Sequence, residues 1–206
     1  MIFETLPFQF DVKKLQDHVR KFVLPLAPHM VGPHFGGWSV LSSDGRYLDG
    51  WGSGEKSFDP AFMPEAAMQE KLVALGMKPL DSYSNPTEVC HGYLKEVMDT
   101  IIGWNLNPRR ARLSLLRANG KSTLHRDAPD SDHTVRLHLP IFTNEDCTFR
   151  CEEGSAHMPA DGHAYLLRVN RMHQVFNEGK EDRIHLIMSV RDKSRFSQFH
   201  RDPTTA

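Results

Sequence analysis

The C-terminal half of this chain is broken into short β-rich runs, and that spacing constrains the fold more than any other feature. The runs RARLSLLR, STLHRD, TVRLHLPIF, CTFRCEE, HAYLLRV, HQVFNE and RIHLIMSV follow one another every eight to twelve residues. Turn chemistry separates them: Ala118-Asn119-Gly120, Ala160-Asp161-Gly162 and Asn177-Glu178-Gly179. Even spacing of short strands predicts an all-β sandwich or barrel, and about eight strands in two antiparallel sheets make a jelly roll.

The N-terminal half reads mostly helical. Asp11 caps a predicted helix over Val12–Phe22, with Val12, Leu15, Val19, Phe22 and Val23 on one stripe and Pro25 and Pro28 beyond it. Gly36–Leu41 reads as a strand, followed by a turn at Ser43-Asp44-Gly45-Arg46. Residues 64–76 read as a helix stopped by Gly76. Residues 86–103 read as another, with Asn85 as N-cap, Pro86 first and Gly103 past the end. The fold class expected is mainly β with flanking α, the N-terminal helices packed on one sheet of a jelly roll. The expected division is 1–108 helical and mixed, 109–193 the β core, and 194–206 a tail, all in one domain of 206 residues.

The formal net charge of -1 gives no global electrostatic case for nucleic acid or an anionic membrane. No apolar run approaches the roughly 20 residues needed to span a bilayer, and the start lacks a basic region followed by an apolar stretch. Three cysteines, Cys90, Cys147 and Cys151, argue against a disulfide framework and for a reducing compartment, so the expected location is cytoplasmic. Cys147 and Cys151 lack a second pair of ligands for zinc and read as small strand-borne thiols.

Twelve histidines are present, seven of them between 125 and 185. His125-Arg126-Asp127 places an imidazole and a carboxylate at i and i+2, on one face of a strand, and His173 opens a later strand. Two histidines and one carboxylate form the facial triad of non-haem Fe(II) sites. In a histidine-rich chain the HxD pair alone is weak; the downstream His173 and Arg183 strengthen it. Along RIHLIMSV, Ile184, Leu186, Met188 and Val190 share one face, and Arg183, His185, Ile187 and Ser189 the other. An arginine on a buried strand needs an anion. A bound dicarboxylate would supply one bidentately; without the triad, an ion pair with Asp182, Glu181 or another acid would be the plainer account. Arg136 and His138 share a face of TVRLHLPIF, and Arg112 and Ser114 a face of RARLSLLR; each pattern fits a ligand-lined interior or a wet outer face equally well.

The stretches RLSLLRANGKSTLHRD, VRLHLPIF, CTFRCEEGSAHMPADGHAYLLR and NRMHQVFNEGKEDRIHLIMSV resemble the aspartyl/asparaginyl β-hydroxylase family of 2-oxoglutarate oxygenases. The resemblance implies a double-stranded β-helix, Fe(II) as metal, and 2-oxoglutarate and O2 as co-substrates. It implies that His125 and His173 bind iron and that Arg183 holds the distal carboxylate of 2-oxoglutarate. Ser114 and His138 resemble further co-substrate contacts, and Arg136 an arginine touching co-substrate or substrate. The animal enzymes of the family carry a glycine where this chain has Asp127; an intact HxD is similar to the free-amino-acid, proline-hydroxylase-like branch. A weaker likeness of GGWSVLSSDGRYLDGW to that branch makes Trp38 and Arg46 candidate substrate contacts, although Trp38 also suits a core. Arg112 and Arg117 are further candidates for a substrate carboxylate. The expected activity is hydroxylation of an unactivated C–H in a small molecule, an amino acid or its derivative, without nucleic acid or membrane as partner. The alternatives are a peptidyl Asp/Asn β-hydroxylase and a cupin-like metal protein without oxygen chemistry.

Overall fold

The computed structural model of the chain describes residues 2–49, 78, 80–127, 135–169 and 171–190. The expected helix over 64–76 and the tail 194–206 lie outside them. Among the described residues, strands and α-helices run in the order β1 (Phe3–Gln9), α1 (Val12–Phe22), β2 (His29–Met30), β3 (Phe35–Ser39), β4 (Leu41–Ser42), β5 (Asn85–Pro86), α2 (Gly92–Gly103), β6 (Pro108–Leu116), β7 (Gly120–Lys121), β8 (Val135–Phe142), β9 (Cys147–Cys151), β10 (Gly154–Ala156), β11 (His163–Arg168), β12 (His173–Asn177) and β13 (Arg183–Val190). A short 3₁₀ turn spans Leu80–Ser82. No described helix is long and apolar enough to cross a membrane.

Two antiparallel sheets form a jelly roll. The larger has the order β1-β11-β8-β13-β6-β3-β2, the smaller β10-β9-β12-β7, and β4 pairs with β5 apart from both. Alternation along the central strands sorts the side chains of the large sheet. Leu113 and Leu115 of β6, Leu137 and Leu139 of β8, and Ile184, Leu186 and Met188 of β13 face one way. They meet Leu15 and Val19 of α1 and Leu94, Val97 and Met98 of α2 in one apolar core. Each such side chain, fully buried, contributes roughly 1.5–3 kcal/mol. A second, smaller cluster fills the space between the sheets around Phe149, Met158, Tyr165 and Leu167.

Helix α1 forms where its stripe predicted, with the Asp11 carboxylate accepting from the backbone N–H of Lys14. The start of α2 differs from the sequence expectation by six residues. Asn85 and Pro86 are drawn into pairing with Ser42 and Leu41. Thr87 then donates its hydroxyl to the Ser39 carbonyl and its N–H to the Val40 carbonyl. These bonds hold the segment extended, and the helix begins only at Gly92, with His91 as cap and Trp104 after Gly103. Strand β1 was not expected. It carries Pro7 and sits at the edge of the large sheet, where a missing N–H costs no ladder bond. Its pairing with β11 is interrupted between Thr5 and Gln9. At the far end Gly162, at φ +89, lets the Phe10 backbone approach where a Cβ would collide with the Phe10 carbonyl. The predicted strand Gly36–Leu41 divides into β3 and β4, and the predicted strand through STLHRD reduces to one bridge at His125, just after β7.

Asn177, fully buried at the end of β12, ties three strand ends together. Its Nδ2 donates to the carbonyls of Leu116, Arg117 and Glu181, and its Oδ1 accepts from the Gly179 N–H and the Cys147 thiol. Asn177→Ala strands those carbonyls out of reach of water and is expected to lower unfolding free energy by about 3 kcal/mol. Urea unfolding checks this; a loss under about 1 kcal/mol would show that the knot carries little of the stability.

Candidate metal and co-substrate site

Between the sheets lies a cavity of about 280 Å³. From the large sheet it takes Arg112, Ser114, Arg136, His138, Arg183 and Ile187; from the small sheet Lys121, Phe149, His173 and Val175; loop residues 31–34 and Phe35 at the start of β3 close one side. His125 and Asp127 enter from the stretch after β7. The inner face of the large sheet is thus polar where its outer face is apolar, which decides between the two readings left open for β6 and β8.

His125 and His173 are locked to each other by an antiparallel bridge. His125 N–H donates to the His173 carbonyl at 3.0 Å and His173 N–H to the His125 carbonyl at 2.8 Å. Asp127 N–H donates to the Val169 carbonyl at 2.7 Å. His125 Nδ1 lies 2.7 Å from the Thr123 carbonyl, and His173 Nδ1 lies 2.9 Å from the Arg171 carbonyl. A carbonyl only accepts, so each Nδ1 carries a proton and Nε2 is the nitrogen whose lone pair the neutral ring offers. Both Nε2 atoms turn to Asp127, at 3.6 Å from Oδ1 for His125 and 3.9 Å from Oδ2 for His173. The three donor groups lie within 4.8 Å of one another. Phe149 stacks on the His173 ring at 5.0 Å between centroids.

This donor set fits a divalent metal with an open face, iron(II) among them. Two imidazoles and a carboxylate would also suit zinc, so the ligands alone do not choose the metal.

Arg136 donates from Nε to Asp127 Oδ2 at 3.0 Å and from Nη1 to the Ser189 hydroxyl at 3.0 Å. It therefore orients the Asp127 carboxylate while also lining the cavity. Arg183 is 3% exposed and, among the described residues, has no acidic partner. Asp182, the acid offered as its plain alternative partner, instead accepts from Arg117 at 2.7 Å and from the Ala118 N–H. Burial pulls the Arg183 guanidinium down to about 10. It still remains a cation at neutral pH, inside the cavity. His138 has its Nδ1 buried without a hydrogen-bond partner. Burial, then the charges of Arg183 and Arg136, holds its imidazole well below the usual histidine range, hence neutral. Four cations and one carboxylate line the cavity among the described residues, so it favours an anionic guest.

Of the expected site residues, His125, Asp127, His173, Arg183, Ser114, His138, Arg136 and Arg112 line this one cavity. Three do not. Trp38 is a core residue, 2% exposed, its indole N–H given to the Leu26 carbonyl. Arg117 is half-exposed in its pair with Asp182, because the chain leaves β6 one residue earlier. Arg46 is exposed and pairs with Asp44 within its own turn. Sequence reasoning missed Phe149 and the loop at residues 31–34 as lining, since apolar strand residues and a short Gly-Pro loop carry no chemical signature.

Buried neutral histidines make stability pH-dependent. His138 and His185 are both held well below the usual value, so the unfolded chain, titrating near 6.5, binds protons first as pH falls. Their contribution is complete above about pH 6.5 and is lost as pH drops below it. Urea unfolding of the metal-free protein at pH 7.5 and 5.5 should show lower stability at 5.5. The slope should be shallower in a His138→Gln, His185→Gln variant, and an unchanged slope would contradict the assignment.

A family model described as "Aspartyl/Asparaginyl beta-hydroxylase" matches residues 84–193, just over half of the chain and the whole of the described ligand set. A search of curated proteins gives no match. Among solved structures, a 2OG-Fe(II) oxygenase family oxidoreductase from Burkholderia pseudomallei is similar at 14% identity and TM-score 0.49, over 92% of this chain and 84% of that one. A prolyl-4-hydroxylase from Pseudomonas putida is similar at 12% identity and TM-score 0.46, over 92% of each chain. A cupin domain from Bordetella pertussis Tohama I follows at 15% identity and TM-score 0.32, over 40% of this chain and 82% of that one. Likenesses this distant carry no argument about chemistry, and the jelly roll stands on the strand order itself. With the family match spanning both histidines, Asp127 and Arg183, the chain belongs to the aspartyl/asparaginyl β-hydroxylase family.

Proposed function

We propose that this chain is an Fe(II)- and 2-oxoglutarate-dependent dioxygenase that hydroxylates an unactivated C–H bond of a small substrate, an amino acid or amino-acid-derived metabolite. The observation that carries the reading is Arg183: a buried cation with no acidic partner among the described residues, in the same cavity as a His-Asp-His cluster. A buried charge without a counter-charge is costly, and a dicarboxylate whose far end reaches Arg183 supplies that charge through paired, charge-assisted hydrogen bonds.

In this reading His125, Asp127 and His173 hold iron through two Nε2 atoms and a carboxylate oxygen. Iron so bound supplies dioxygen activation, with 2-oxoglutarate as reductant, so that substrate R–H, O2 and 2-oxoglutarate give R–OH, succinate and carbon dioxide. The chain's own residues do the positioning. The backbone carbonyls of Thr123 and Arg171 fix the imidazole tautomers. Arg136 fixes the carboxylate of Asp127. Arg183 receives the distal carboxylate of the co-substrate, with Ser114 and neutral His138 alongside. Phe149, Val169, Val175 and Ile187 form an apolar wall that limits water near the reacting C–H. The cavity's 280 Å³ is at the small end of ligand sites, which favours a small substrate over a long peptide.

Succinate formation coupled to O2 uptake, screened across amino acids and their derivatives, tests the activity. His173→Ala is expected to abolish iron-dependent turnover. Arg183→Ala is expected to raise the KM for 2-oxoglutarate roughly 10- to 100-fold, the loss of charge-assisted hydrogen bonds. Full turnover by His173→Ala would overturn the metal site, and an unchanged KM in Arg183→Ala would overturn the clamp.

A further inference from the structure

Among the described residues, the hydrogen-bond partner of the Arg183 guanidinium is a histidine. Arg183 Nη2 lies 2.8 Å from His185 Nδ1, both side chains projecting from the same face of β13. A guanidinium only donates, so His185 Nδ1 accepts and the imidazole proton sits on Nε2. That Nε2 is buried without a hydrogen-bond partner. His185 is 1% exposed and is absent from the cavity lining; it lies behind Arg183, opposite Ser114 of β6 and Pro140 of β8. Burial, then the charges of Arg183, His138 and His157, keeps the ring neutral, which an acceptor for a cation must be.

We infer that His185 is the positioning residue of the co-substrate clamp: it takes one amine of Arg183 and so sets the plane in which the remaining N–H groups meet the distal carboxylate of 2-oxoglutarate. The inference rests on the proposed reading of Arg183 as that clamp. A planar fork binds a carboxylate bidentately only in a narrow range of orientations, and a long side chain with several rotatable bonds is held in one of them by a second contact. An imidazole whose other nitrogen is left unsatisfied in the protein interior is a poor core filler, whereas as an acceptor for Arg183 it has a function.

The test is anaerobic binding of 2-oxoglutarate to the Fe(II)-loaded protein, comparing wild type, His185→Leu and His185→Asn, with Fe(II) affinity and thermal unfolding measured beside it. Leucine fills the volume and removes the acceptor; asparagine places its Oδ1 near the position of Nδ1. His185→Leu is expected to weaken 2-oxoglutarate binding about tenfold, the loss of one hydrogen bond to a charged group. His185→Asn is expected to restore binding to within about threefold of wild type. Fe(II) affinity should be the same in all three. Equal binding by His185→Leu, or an Asn variant as weak as the Leu variant, overturns the inference while leaving the clamp standing. A wild-type protein that takes up no 2-oxoglutarate overturns the clamp and this inference with it. The tautomer gives a readout that does not depend on the Leu variant folding. Imidazole nitrogen spectra of the wild type should show His185 neutral with the proton on Nε2, and a proton on Nδ1 contradicts the proposal.

Discussion

Strand β13 is buried along its whole length, and the alternation of its side chains decides what each side of the large sheet can be. A strand covered on both faces is ordinarily apolar on both. Here Ile184, Leu186, Met188 and Val190 join the helices in one core, while Arg183, His185 and Ser189 stand on the other face, in the space between the sheets. Shifting the register by one residue would put a guanidinium among the leucines of the helical core and an isoleucine where the cavity needs a cation. The pairings of β13 with β6 and β8 therefore fix the fold and the site together. They bring Arg183 opposite Leu116, His185 opposite Ser114, and Ser189 beside Arg136.

The small sheet supplies the other half. His173 begins β12 and is bridged to His125, so the two imidazoles come together through backbone bonds between segments some fifty residues apart in the chain. Asp127 is then held from two directions, by its own N–H on the Val169 carbonyl and by Arg136 on its carboxylate. The result is a cavity with one carboxylate and several cations. Among the described residues Arg183 has no acid there, and the nearby Asp182 is committed to Arg117 on the outside. A protein that keeps such a cation buried gives up stability at that position, the usual signature of a site shaped for a ligand.

Much of this was legible in the sequence because it rests on period-two alternation and on residues whose chemistry is costly to bury. The two faces of RIHLIMSV, the HxD pair and His173 follow from those two rules, whereas alternation alone left Arg136 and His138 equally suited to an inner or an outer face. What was not legible depends on partners distant in sequence. Residues 86–91 have the composition of a helix start, yet Thr87 is taken by the Ser39 and Val40 carbonyls. Strand β1 forms because β11 offers an edge, not because its own pattern demands it. Trp38 and Arg117 have the chemistry of ligand contacts, and only the packing around Leu26 and Asp182 places them elsewhere. The engagement of Arg136 with Asp127 depends on a cross-strand distance that spacing alone does not give.

The central claim is that one cavity binds iron through His125, Asp127 and His173 and 2-oxoglutarate through Arg183. It is tested most directly without oxygen or substrate, by titrating 2-oxoglutarate into the Fe(II)-loaded protein and following visible absorption. The account predicts a saturable iron-to-keto-acid charge-transfer band that disappears in His173→Ala and needs more 2-oxoglutarate in Arg183→Ala. Iron demonstrably bound with no band at any concentration of 2-oxoglutarate would contradict it and leave a cupin-like metal site in its place.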